Sequence, residues 1–565
     1  MSLQAQIGPM AASPSVGSTR KETKGVIIDC SHTRYHVVRA AARMIGWVVS
    51  DVDTEAAVPL SFYDVPLNSD PGDVASHPPQ VIWTDKSVLS ARVAGLECYQ
   101  RLNHFASMNA LARKAMLFSR LMQLCRLALK SEFATQDGHS FSARFPLYRY
   151  FVHSIPPSFS SIGDLGRLEA YQRQLSSAPE GERRPFFIIK PNTGCEGKGI
   201  RLSTSPLSDL TEAEQRDRKH ECIVQLYIDR PLLMDGKKFD LRLYVLLVSV
   251  TPAQQPRKPI RREQVSGGLR AESSAATTAA VTPSFTEVPP GVEGVRLYVH
   301  REGLVRICAE PYATPTEANC TNALKHLTNY AVNRKSDLFT PAGMPAGDME
   351  GARARSAVED AAASNKRSLA ALSAYIDGLH TSGGWARVQR RIDECITLTV
   401  LSGVEALRRE LISAGGARGE RADGRGCFEL LGFDVMLREA ALEPVLMEVN
   451  HSPSLFCDTA FDFAVKSAVL RDTFRVLEAH LPPWEAHEGN RRAYASYTCQ
   501  ESSSASEMDK AEEALLHGAE VPCGFRRLLP HYGNSSGDST DDPCDWQQEE
   551  RAAQECMVAM SRRLR

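Results

Sequence analysis

The sequence predicts a mixed α/β protein, of the α+β kind, with more than one domain. Two observations carry that expectation. Near the amino terminus strand-like and helical patterns alternate: VIIDC at 26–30 and VIWTD at 81–85 flank a helical stretch at 35–43. Farther along, residues 223–228 and 241–250 form long apolar runs rich in β-branched and aliphatic side chains, as buried strands do. With 565 residues the chain can bury more than one core.

Composition narrows the function classes. Hydrophobic residues make up 43% and charged residues 24%, the balance of a globular protein. A net charge of -2 supplies no whole-molecule field for nucleic acid or a membrane surface, so neither is expected as a partner. The 14 cysteines are scattered without a C-x-x-C pair, which argues against a zinc site or a disulfide framework and for a reducing, intracellular compartment. Residues 1–24 are polar and lack the apolar core of a signal peptide. No run approaches the roughly 20 apolar residues of a membrane helix.

The elements follow in order. Residues 1–24 are expected to be disordered. A domain over 25–135 begins with the strand at 26–30, the helix at 35–43 and a strand at 47–50, continues with the strand at 81–85, and closes on a long amphipathic stretch at 108–130. A central lobe over 136–250 is rich in strand signals. Residues 252–293, rich in Pro, Ser, Ala and Thr between two convincing strands, read as a disordered insertion in a hairpin. Residues 340–365 and 413–426 read similarly on a smaller scale. A last lobe spans 295–481, and the polar, serine-rich tail over 485–565 is expected to be mostly unpacked, with CGFRRLL at 523–529 its best candidate for an ordered contact.

Chemistry-bearing residues recur along these strands. Alternate side chains of a strand share a face, so Glu448 and Asn450 project together and Asp434 on a neighbouring strand can complete an all-oxygen set suited to Mg²⁺. FFIIKP at 186–191 ends an apolar strand on Lys190, a position that asks for an anionic partner. Gly194, Gly197 and Gly199 surround Lys198 in the turn that follows, where small residues let backbone N–H groups approach phosphate oxygens. In 223–228, Gln225 is the one amide in an apolar strand, a pattern suited to a base edge. Lys238, Asp240 and Arg242 alternate with Phe239, Leu241 and Leu243, which puts three charges on one strand face. Arg306 can converge on the same pocket.

Taken in order, these motifs resemble the tubulin tyrosine ligase-like family, in wording closest to its polyglutamylases. The matching segments are KHLTNYAVNRKS (325–336), CFELLGFD (427–434), EPVLMEVNHSPS (443–454) and, earlier, YQRLNHF (99–105) with Arg113 and Lys114, within a resemblance that runs from residue 25 to about residue 480. The resemblance implies an ATP-grasp core of two α/β lobes preceded by a small α/β amino-terminal domain, with ATP and Mg²⁺ as cofactors. It implies phosphate contacts at Lys114, Lys190 and Lys198 beside Gly197 and Gly199, an adenine edge at Gln225, Leu226, Tyr227 and Ile228, and nucleotide contacts at Lys238 and Asp240. Asp434, Glu448 and Asn450 are implied metal ligands, and Arg242 and Arg306, with Lys238, the catalytic set that holds the amino acid or acceptor carboxylate. His326 either lines the pocket or donates to backbone in a turn.

The implied activity is ATP-dependent addition of glutamate to glutamate side chains of tubulin carboxyl-terminal tails through an acyl phosphate. Glycine or tyrosine ligation, and a silent tubulin-binding protein of the same fold, stay open as alternatives. Free L-glutamate is the implied co-substrate and tubulin or the microtubule the partner, in a cytoplasmic, cytoskeletal setting that includes the cilium; a monomer is expected.

Overall fold

A computed structural model describes residues 25–50, 79–88, 90–96, 100–129, 153–176, 184–194, 196–250, 294–342, 364–379, 384–414, 426–481, 514–518 and 523–529. The expected disorder of 1–24, of the 252–293 insertion and of most of the tail lies outside these residues.

The first sheet is parallel, in the order β2-β1-β3-β4, from β1 (Ile27–His32), β2 (Val48–Ser50), β3 (Val81–Thr84) and β4 (Arg101–Leu102). Helix α1 (His36–Met44) makes the crossover between β1 and β2, as the alternating pattern predicts. The amphipathic stretch at 108–130 breaks once: a short turn of helix at Asn109–Ala112 ends at Arg113, whose backbone is extended, and α2 (Lys114–Leu129) starts afresh. That restart places Lys114 at the head of a helix, where the amide of Ala115 donates to Asn192 Oδ1 at 3.0 Å.

The second sheet is antiparallel, in the order β5-β8-β6-β7, from β5 (Ser158–Ser160), β6 (Phe187–Pro191), β7 (Arg201–Ser203) and β8 (Cys222–Leu226). Helix α3 (Leu165–Ser176) covers one face through Leu168, packed with Phe159, Phe187, Ile189 and Val224.

The third sheet is the largest. Its main path runs β12-β11-β10-β13-β14, from β10 (Lys237–Val250), β11 (Val295–Ile307), β12 (Lys366–Ser368), β13 (Glu429–Leu437) and β14 (Pro444–Asn450), all antiparallel. The short β9 (Leu233–Met234) adds to β10, and β15 (Phe525–Leu529) adds to β11 beyond the end of β12. The expected contact of the tail segment 523–529 is therefore present, as a sheet strand.

The two faces of β10 explain where a site can form. Phe239, Leu241, Leu243, Val245 and Leu247 enter one core with α2, α4 (Leu369–Leu379) and α5 (Gly384–Ala414). On the opposite face Tyr244, Leu246 and Val248 enter a second core with α6 (Ala460–Ala479) and the first sheet. Lys238, Asp240 and Arg242 continue that second face past the apolar cover. Segment 25–135 thus contributes to both cores of the third sheet.

Candidate active site

The charged end of β10 faces the second sheet across a cleft of about 660 Å³, floored by Lys190 and Gln225 on one side and by Lys238, Asp240, Arg306 and Asp434 on the other. Lys190 leaves β6 fully buried. Its Nζ donates to Gln225 Oε1 at 2.7 Å, and Gln225 Nε2 donates to Ser158 Oγ at 2.8 Å. Burial pulls the Lys190 pKa down to about 8, although the nearby Glu448 favours its charge. Lys238 is buried as deeply. It donates to the Tyr227 hydroxyl at 2.8 Å and the His326 carbonyl at 3.0 Å, and burial brings it to about 8 as well. Among the described residues no carboxylate lies within ion-pair reach of either ammonium. Two buried lysines with only neutral acceptors make a site that favours an anion.

Beside them runs a lattice of guanidinium and carboxylate. Strand register sets it: Asp240 lies opposite Arg306 on β11 and Arg242 opposite Asp434 on β13, so charges of opposite sign meet across those strands, while Asp434 opposite Glu448 on β14 sets two carboxylates side by side. Arg306 grips Asp240 bidentately at 2.6 and 2.7 Å and reaches Asp434 Oδ2 at 2.7 Å. Arg242 grips Asp434 at 2.5 and 3.0 Å, and Thr328 Oγ1 donates to Asp240 Oδ2 at 2.5 Å. Burial alone would raise the Asp434 pKa, but the two guanidiniums hold it well below the usual carboxylate range. In this state both arginines are engaged by protein carboxylates, so an incoming carboxylate has to share them.

Glu448 and Asn450 stand on the same face of β14, with Asn450 Nδ2 donating to Glu448 Oε1 at 3.2 Å. Lys114 closes on Glu448 Oε2 at 3.0 Å and donates to the Gly194 carbonyl at 3.2 Å, which ties the head of α2 to the glycine turn and to β14. Asp434, Glu448 and Asn450 therefore share one sheet face beside the cleft, with the two arginines holding Asp434 ionised. That donor set fits a hard divalent cation such as Mg²⁺.

The run Gln225, Leu226, Tyr227 and Ile228 lines the cleft wall. The Leu226 and Tyr227 amides already donate to Pro157 and Phe186 carbonyls at 2.9 and 2.8 Å, which leaves the end of the run at Ile228 for a ligand edge. In the glycine turn Gly197 and Gly199 adopt positive φ, 78° and 72°, and a Cβ on Gly199 would lie 2.9 Å from the Pro191 ring. Lys198 at its tip is 77% exposed and paired with Glu196 at 2.9 Å, so this residue is not brought into the cleft. His326 satisfies both readings of it: it lines the cleft, contacts the Tyr227 hydroxyl at 3.2 Å, and faces the Asn319 carbonyl at 3.0 Å.

Residues 92–254 and 290–488, more than half of the chain, match the tubulin-tyrosine ligase family as a whole. The chain belongs to the tubulin-tyrosine ligase family. It is similar to tubulin polyglutamylase ttll6 of Danio rerio, 28% identical over 463 residues that cover 80% of this chain and 46% of that protein. It is also similar to tubulin polyglutamylase TTLL6 of Homo sapiens, 27% identical over 448 residues covering 79% and 36%. A probable beta-tubulin polyglutamylase of Tetrahymena thermophila is 26% identical over 409 residues covering 72% and 26%. The chain spans less than half the length of these curated relatives.

The cleft lies between the second and third sheets, and the mixed α/β architecture is consistent with the ATP-grasp-like fold of the family. Sequence reasoning missed Thr328 and Ser158, which complete the hydrogen bonding of Asp240 and Gln225. Thr328 lies within the matched segment 325–336 and could have been found there. Ser158, in a short strand with no charged neighbour, carries no comparable signal.

Proposed function

We propose that this chain is an ATP-dependent ligase that joins glutamate to glutamate side chains of tubulin carboxyl-terminal tails. The observation that carries the reading is the cleft itself. Its lining sets Lys190, Lys238 and Arg306 against Asp240, Asp434 and Glu448, two of those carboxylates are also paired to Lys114 and Arg242, and Lys190 and Lys238 lack a carboxylate partner, an arrangement that suits polyphosphate and carboxylate substrates together. The choice of glutamate and tubulin is supported by the relatives named above and by the local wording of 427–434 and 443–454.

An amide does not form readily from a free carboxylate and an amine in water. In the proposed reaction an acceptor carboxylate oxygen takes the terminal phosphoryl group of ATP, releasing ADP, and the amine of glutamate then displaces phosphate as the C–N bond forms. Lys190 and Lys238 hold the phosphoryl oxygens and offset charge as it builds on them, while the Arg242 and Arg306 forks align two anionic reactants that otherwise repel. Asp434, Glu448 and Asn450 would hold Mg²⁺, which supplies further charge stabilisation on the phosphates when bound. Burial of the cleft floor keeps water from the activated carboxyl group.

The test is incubation with tubulin, ATP and, separately, glutamate, glycine and tyrosine, followed by mass spectrometry of the tails. Glutamate-sized additions on tail glutamates are expected. Glycine or tyrosine additions would reassign the amino acid, and no addition together with no ATP turnover would show a silent binding protein.

A further inference from the structure

Behind the cleft lies a second buried charge network that the reaction scheme does not use. Its centre is Asp462, a fully buried carboxylate in the first turn of α6. Lys366 Nζ donates to both of its oxygens at 2.9 and 2.7 Å, and Lys466 Nζ lies 3.4 Å from Oδ1. Both lysines are buried. Burial lowers the Asp462 charge preference, but the two ammoniums override it and hold the carboxyl below its ordinary range.

What these partners attach to gives the network its meaning. Lys366 opens β12 directly opposite Arg306, so it is anchored to the strand that carries the guanidinium clamp. Its Nζ also sits 3.7 Å from the centre of the Tyr330 ring, a distance at which a desolvated ammonium is held by the ring face. Tyr330 directly follows Thr328 and Asn329, which line the cleft; Thr328 bonds Asp240, and a Cβ on Gly197 would come 3.2 Å from the Asn329 side-chain oxygen. The segment 326–333 is therefore the lip between the glycine turn and the nucleotide wall. On the other side, Lys466 donates to the Phe456 carbonyl, and Asp458 stands beside the Tyr330 hydroxyl. Both lie in the loop 451–459, which leaves β14 immediately after Asn450.

We propose that Asp462, acting through Lys366 and Tyr330, is a positioning residue that locks the nucleotide lip and the loop after β14 in one register. Occupancy of the nucleotide side then tightens binding on the acceptor side. Linkage makes the effect mutual. A rigid brace is required for this, since a solvated surface pair would be screened and loose, whereas a buried, multiply bonded carboxylate has one geometry. The inference rests on the proposed ligase reading only for the identity of the two ligands.

The experiment measures the affinity of a fluorescent glutamate-rich peptide by anisotropy, with and without a non-hydrolysable ATP analogue and magnesium, alongside the melting temperature. In wild type the analogue should tighten the peptide by about 5-fold or more, the lower end of typical coupling. Lys366→Met removes the ammonium but leaves Asp462 paired with Lys466, and the ratio should fall toward one; Lys366→Arg, which keeps a cation in reach of Asp462, should restore most of it. Tyr330→Leu, which removes only the ring and its hydroxyl, should weaken the ratio as well and decides the question if Lys366→Met does not fold. A wild-type ratio of one overturns the proposal, and so does a lower melting temperature with an unchanged ratio in the variants. Failure of wild type to bind either probe is a different result, and overturns the ligase reading itself.

Discussion

At the scale of single residues, Lys190 and Lys238 have the plainest consequence, because burial has brought both close to pH 8. Below about 8 they are charged in the folded and the unfolded chain, and the folded state bears the full cost of their burial. Between about 8 and the ordinary lysine value of 10.5 the folded chain has shed protons that the unfolded chain still binds, so their contribution to stability rises with pH across that window. The proposed triphosphate would reverse this by restoring the charge. Nucleotide binding in the same window should therefore take up protons, and calorimetry in buffers of different ionisation enthalpy should show an apparent enthalpy that follows the buffer; an enthalpy independent of buffer would rule it out. A second expectation concerns Glu448, whose oxygens stand opposite Asp434. Glu448→Gln is nearly isosteric, so turnover should drop by about 100-fold or more, the scale of losing one charge-stabilising group, while the melting temperature changes little. Near wild-type turnover would remove Glu448 from the metal set. The alternation of Lys238, Asp240 and Arg242 was legible in the sequence because side chains on a strand alternate by a fixed period. Their partners were not. Asp240 meets Arg306 and Arg242 meets Asp434 across strands separated by long stretches of chain, and that register is a product of tertiary pairing. Lys198 shows the converse limit: a turn residue's direction is set by local backbone, which the glycine pattern alone does not specify.

At the scale of elements, the sequence reading found the longer strands of each sheet and the helix at 35–43, since each has a clean period or a long apolar run, but not the short β4 and β5. It missed the significance of β12, three residues beginning with Lys366, because so short a strand has no period to read. The tail strand was anticipated as an ordered contact but not as an addition to β11. Its seat is tight. Gly524 donates its amide to Asp472 Oδ2 at 2.7 Å, His300 Nε2 lies 3.2 Å from the same oxygen, and the Gly524 carbonyl accepts from the Arg301 amide at 2.8 Å. A Cβ at Gly524 would lie 2.2 Å from His300 Nε2 and 2.7 Å from Asp472 Oδ2. Gly524→Ala should accordingly cost about 1–3 kcal/mol and loosen β15. The check is the melting temperature together with hydrogen exchange at the Arg301 amide, and unaltered protection there would mean that the seat yields without releasing the strand.

At the scale of the whole molecule, the near-zero net charge and the two cleft lysines without a carboxylate partner make a joint prediction. Encounter with a run of carboxylates is steered by local charge alone, so the acceptor KM should rise with ionic strength as the Debye length contracts from about 30 Å at 0.01 M to about 8 Å at 0.15 M. Arg306→Ala should instead lower kcat at every salt concentration, because its contacts to Asp240 and Asp434 are buried and poorly screened. A salt-independent wild-type KM would defeat the steering argument, and full kcat in the variant would defeat the placement of Arg306. The position of β15 also bears on how the molecule is made. Strand β11 is complete by Ile307, yet the segment that covers its edge at Leu297–His300 is Phe525–Leu529, more than two hundred residues later. At about 5–20 residues per second the nascent chain carries that edge uncovered for on the order of 10–45 s. An open strand edge can pair with another chain, so synthesis of this protein has a defined interval of exposure to misassembly that ends when β15 docks.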